Sequence, residues 1–159
     1  MAVDTNVAVV ANGRAEQASD DCVLACIDEL DAIRAGRTVL LDDHDLILTE
    51  YRLNLSHSGQ PGVGDAFFKW LWDNQANIEH CQKVSVTPTE SNGKGFVEFP
   101  DDPELEGFDR SDRVFVATVL SDGRNAPVVN ASDTDWWNYR EALERNGVAV
   151  RFLCPELME

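Results

Sequence analysis

The chain of 159 residues is 43% hydrophobic and carries 29 acidic against 13 basic side chains, a formal net charge of -16. Such a field repels phosphate backbones and anionic membranes over a Debye length of ~8 Å at physiological salt, which excludes an ordinary basic nucleic-acid-binding module and favours cations or basic proteins as partners. No apolar run approaches the ~18 residues that span a bilayer, and Met1-Ala2-Val3-Asp4 begins no basic leader, so one soluble, cytoplasmic domain over residues 1–159 is expected.

Residues 1–3 predict a short strand ending on Asp4, before a polar turn. Ser19 or Asp20 can cap a helix that runs to Gly36, with Val23, Cys26, Ile27, Leu30 and Ile33 on its inward face. Thr38-Val39-Leu40-Leu41 fits a buried parallel strand. Asp43 or Asp45 caps the next helix, whose inner stripe holds Leu46, Ile47, Tyr51 and Leu55. A third helix over residues 65–77 carries Phe67, Phe68, Trp70, Leu71 and Trp72, a cluster that suits core and self-association better than base stacking.

Residues 82–86 read as a strand, and residues 88–108 as an insertion or lid punctuated by Pro and Gly, with Phe96-Val97-Glu98-Phe99 as a hairpin element. Ser111 opens a helix with Phe115, Val116 and Val119 inward and Gly123 at its end. A strand at 127–130, a helix at 135–146 and a strand at 148–153 follow. This alternation predicts an α/β fold: a three-layer α/β/α sandwich around a mainly parallel sheet of about five strands. Cys22, Cys26, Cys81 and Cys154 lack paired spacing and zinc-finger histidines, and read as reduced, mostly buried thiols.

In a parallel α/β sheet the functional crevice lies beyond the carboxyl ends of the strands. Asp4 and Asp133 fall there. Glu50 shares a helix face with Leu46, Ile47 and Leu53, and Asp112 heads the Phe115 stripe; carboxylates on inward faces need a partner, and no cation stands in either stripe. Singly, each has a structural alternative: strand-end turns for Asp4 and Asp133, a half-exposed helix charge for Glu50, a helix-dipole residue for Asp112. Together they make an oxygen-rich set suited to Mg²⁺ or Mn²⁺ and to hydrolysis of phosphodiesters by a metal-activated water.

Four segments extend this. Val3-Asp4-Thr5-Asn6-Val7, Leu48-Thr49-Glu50-Tyr51, Ser111-Asp112-Arg113-Val114-Phe115-Val116-Ala117 and Ala131-Ser132-Asp133-Thr134-Asp135-Trp136 stand in the order and placement of the PIN-domain family, which the chain resembles over nearly its whole length. The resemblance implies a metal-dependent nuclease acting on RNA, with DNA as the other substrate. It implies Asp4, Glu50, Asp112 and Asp133 as metal ligands, Asp135 as an accessory carboxylate, and Asn6 beside the substrate. It also implies homodimers and, as in many small members, the toxin role in a toxin-antitoxin pair.

The chain departs from the pattern in Ala131, where the family usually has Thr or Ser, in the paired Trp136 and Trp137, in the 88–108 insertion and in its acidity. Arg14, Arg52, Lys94, Arg110 and Arg113 are the cations expected near the rim; Arg113 either binds phosphate or pairs with a neighbouring acid. Trp136 and Trp137 suit core packing better than base stacking. His44, His57 and His80 stand beside no patterned nucleophile, and no phosphate-cradling glycine motif occurs. A protein that uses the same fold only to bind a basic partner is the alternative expectation.

Overall fold

The computed structural model describes residues 1–159 and is mixed α/β, with six α-helices around small parallel sheets. Strand β1 (Ala2–Val3) ends at Asp4, which caps helix α1 (Thr5–Ala11) in place of the expected turn. Its β-branched valines hide this helix from propensity; Val7, Ala8, Val10 and Ala11 are buried, and packing overrides the weak local preference. Helix α2 (Asp20–Gly36) starts on Ser19, whose hydroxyl accepts from Cys22 N at 3.2 Å. Its buried stripe is Cys22, Cys26, Leu30 and Ile33.

Strand β2 (Val39–Asp42) is buried throughout and leads into α3 (Leu46–Asn54). Asp45, one of the two expected caps, stands at the N-cap of that helix in the left-handed region at φ 58°, but its side chain makes no cap hydrogen bond. Asp42 supplies those bonds, accepting from Leu46 N at 3.0 Å and Ile47 N at 2.8 Å. Helix α4 (Val63–Asn74) begins earlier and ends earlier than its aromatic run suggested. Its Gly64 lies against α1 so closely that a Cβ there would come 1.9 Å from Ala8 O, so only glycine permits this crossing.

Strand β3 (Cys81–Val84) is followed by the antiparallel pair β4 (Pro88–Thr89) and β5 (Gly95–Phe96). The irregular 88–108 stretch is fastened to the main core by Phe96, Phe99, Leu105 and Phe108. A 3-10 turn, Arg110–Asp112, leads into α5 (Arg113–Asp122), which stops at Gly123 with φ 70°. Strand β6 (Val128–Asn130), α6 (Thr134–Arg145) and β7 (Val150–Phe152) complete the alternation.

The strands form two parallel groups. β6 lies between β1 and β7, with Ala2 opposite Val128 and Asn130 opposite Phe152, while β2 pairs with β3 from Val39 opposite Cys81 to Asp42 opposite Val84. β1 is too short to carry a ladder on both edges; toward β2 it gives the bond from Leu40 N to Met1 O, 2.8 Å, and the terminal amine adds one to Thr38 O. α5 packs across β1, β2, β3 and β6, and α1, α2 and α4 pack on one another. No helix is long and apolar enough to cross a membrane.

Two cysteines depart from the reduced state expected of them. Cys22 and Cys154 form a disulfide, Cα atoms 5.6 Å apart, across 132 residues of sequence. That separation leaves no local spacing to read; the pairing arises only when β7 returns the chain beside α2.

Candidate metal centre

Asp4 leaves β1 as the cap of α1 and is 2% exposed. One carboxylate oxygen accepts from Thr5 Oγ1 at 3.2 Å and Asn6 N at 3.4 Å; the other accepts from Asn130 Nδ2 at 2.6 Å. Asn130, the last residue of β6, is fully buried, and its Oδ1 accepts from Asn6 Nδ2 and Asp133 N. Asn6 Oδ1 in turn accepts from Ala131 N. Two asparagines thus bracket the ends of β1 and β6 and set the spacing between Asp4 and Asp133.

Asp133 caps α6 by accepting from Asp135 N at 2.8 Å, and Asp135 Oδ2 accepts from Asp109 N at 3.0 Å. That bond draws the loop before α5 toward the crevice. Asp112 closes the 3-10 turn at the cap position of α5 but makes no capping hydrogen bond. The helix does not use its carboxyl group.

Burial and neighbouring carboxylates raise the acids of this region. The Asp112 carboxyl is raised well above its ordinary range by burial first, then by the charges of Asp4, Asp133, Asp109 and Asp135. Asp4 is raised by burial and then by Asp133. Asp133 is raised by burial and by the nearby charges of Asp135 and Asp109, against hydrogen bonds that pull the other way. None of these aspartates forms an ion pair, since the molecule's salt bridges all lie elsewhere.

Glu50 stands at the flank. It is raised by burial and by Asp109 alone, and Leu53, expected to share its inward face, is 74% exposed. Tyr51, beside it, donates to Val3 O at 2.8 Å and so fixes α3 to the strand that carries Asp4.

Asp109 and Asn130 were missed by sequence reasoning. Asp109 sits at the edge of the irregular stretch and looks like a turn cap, which it also is, accepting from Ser111 N. The signal for Asn130 was a polar residue closing an otherwise apolar strand.

Arg113 takes neither role expected of it. Its guanidinium is buried and donates to the carbonyls of Phe108, Glu106, Leu105 and Lys94, with Phe99 beneath it at 4.6 Å. It clamps the 88–108 stretch and is closed to phosphate. Arg14 lies 3.9 Å from Asp65, Arg52 over the Trp72 ring and Arg110 on Gly93 O, so these rim cations are engaged as well. Trp136 is fully buried edge-on to Phe108, while Trp137 packs against Phe152 under Arg140.

Asp4 and Asp133 at strand-to-helix junctions, and Asp112 at the 3-10 turn before α5, offer only oxygen donors with no side-chain cation paired to them, the kind of ligand that a hard divalent ion takes. No three carboxylates bring ligand oxygens within 4.8 Å of one another. The one trio of ligand-type side chains whose donor atoms all lie within 4.8 Å of one another is Cys22, Cys26 and Cys154. Comparison with known protein families, with curated proteins and with solved structures finds no match.

Proposed function

We propose that the chain is a divalent-metal-dependent nuclease of the PIN type, acting as an endoribonuclease with Mg²⁺ or Mn²⁺. The observation that carries this reading is the convergence of Asp4, Asp112 and Asp133, reinforced by Asp109 and Asp135, without a compensating cation. Asp4, Asp112 and Asp133 would hold the ion, with Glu50 and Asp135 closing around it. A bound divalent ion supplies an acidified attacking water and neutralises charge gathering on the phosphodiester. The asparagine bracket fixes the distance between the ligands from β1 and β6, and the Asp135–Asp109 link positions the head of α5.

In this reading the order β3, β2, β1, β6, β7 acts as one five-stranded parallel sheet between helical layers, supported by the Leu40–Met1 bond. A homodimer, and an antitoxin with a basic face as inhibitor, complete the proposal. The test is cleavage of single-stranded RNA, structured RNA and single-stranded DNA with Mn²⁺ or with chelator. Mn²⁺-dependent cleavage of RNA, lost in Asp4→Asn, Asp112→Asn and Asp133→Asn but kept in Asp31→Asn, is expected; Asp31 is exposed on α2. Full activity in two of the three site variants would refute the assignment.

The engagement of the rim arginines favours a second reading, a binding module for a basic protein. In that case no substrate is cleaved by the wild type under any metal, and a polycationic peptide binds with strong salt dependence.

A further inference from the structure

Cys22 and Cys26 lie one helical turn apart on α2, and the loop after β7 brings Cys154 against both. All three are at most 1% exposed, and the third sulfur, on Cys26, is a free thiol beside the disulfide. The cluster belongs to the core, and no carboxylate joins it.

We propose that reduction turns this trio into a site for one thiophilic ion of the copper(I) class, held in trigonal coordination by the Cys22, Cys26 and Cys154 sulfurs. Thiolates select soft ions, whereas Mg²⁺ and Mn²⁺ take oxygen. Structural zinc wants four ligands, and no fourth His, Cys, Asp or Glu donor joins this group. The burial of all three residues also keeps solvent water from serving as the fourth.

Near the trio, Arg37 and Arg151 both pair with the Glu29 carboxylate, a turn beyond Cys26. Without a metal, burial and Glu29 push the Cys26 thiol up to about 12, so it stays protonated and inert as a nucleophile.

The chemistry balances simply. A reductant supplies two electrons and two protons to open the Cys22–Cys154 bond, giving two thiols. Copper(I) then displaces the three thiol protons to solvent, with no change in its oxidation state. Disulfide and metal site exclude each other.

The test is an anaerobic titration of phosphine-reduced protein with copper(I) against bicinchoninate, reading stoichiometry, the sulfur-to-copper charge-transfer band and the melting midpoint. The expected result is one copper(I) per chain and a raised midpoint for wild type and for Cys81→Ala, whose thiol lies apart on β3. Loss of binding is expected in Cys26→Ala, in Cys26→Ser and in oxidised wild type. Both Cys26 variants keep Cys22 and Cys154, so circular dichroism of their oxidised forms checks folding independently of the metal. Undiminished binding in a folded Cys26 variant, failure of reduced wild type to compete, or preferential uptake of zinc(II) over copper(I) would each overturn the proposal.

Discussion

Asp112 separates site from scaffold because the two roles predict opposite signs. A carboxylate serving only the helix dipole stabilises by ~0.3–1 kcal/mol, and neutralising it costs that amount. One crowded by Asp4, Asp133, Asp109 and Asp135 destabilises the metal-free protein. Asp112→Asn is therefore expected to melt a few degrees higher than wild type in chelator, at about 2–4 °C per kcal/mol of relief for a chain of this size. Millimolar Mn²⁺ should raise the wild-type midpoint and barely move the variant. The pH dependence follows from the same crowding. Asp4, Asp112 and Asp133 have raised folded-state values, so the folded protein holds protons that the unfolded chain has lost. Their contribution is fully present below the ordinary value of 3.8 and disappears as pH climbs through the raised values. In chelator, wild-type stability should fall as pH rises from the ordinary value of 3.8 to about 9, and Asp112→Asn should show a shallower fall in paired denaturant titrations. Asp112 could be read from sequence because it heads an apolar stripe without a cation. Asp109 could not, since a turn cap and a site acid look alike until the Asp135 bond brings one to the other.

Among the elements, the strand-to-helix junctions decide what an acid does. Asp42 ends β2 as Asp4 ends β1, yet its oxygens are taken by the amides of His44, Leu46 and Ile47. Asp42→Ala should cost about 1–3 kcal/mol through the orphaned amides at the start of α3, with the Mn²⁺ response preserved. Urea unfolding with and without Mn²⁺ measures both; loss of the metal response would move Asp42 into the site. The long helices were legible because their apolar periods run for many residues, and β2 because its short apolar run is flanked by charged residues. Helix α1 was not: the segment after Asp4 reads as a polar turn, and only burial against α2 and α4 makes it helical. Arg113 was misread for a related reason. Its neighbour in sequence is the acid Asp112, while its contacts in space are carbonyls of the stretch preceding it.

For the whole molecule, a net charge of -16 sets how stability responds to salt. Raising KCl from about 0.1 M to about 1 M shortens the Debye length from ~10 Å to ~3 Å and should raise the melting midpoint steadily. Chloride is the suitable anion, because sulfate also strengthens apolar burial. A flat or falling midpoint would mean that the surface charges are already balanced locally. The alternation of strands and helices was visible in the sequence; the parting of the strands into two groups was not, because it depends on a two-residue β1. That parting is a mechanical seam. Asp4 and Asp133 belong to the β1–β6–β7 side, Glu50 rides on the helix that follows β2, and α5, with Asp112 at its head, lies across both. An ion held by Asp4 and Asp112, as proposed, would work as a rivet, pinning the helix that lies across the seam to one of two halves whose strand edges share little more than the Leu40–Met1 bond.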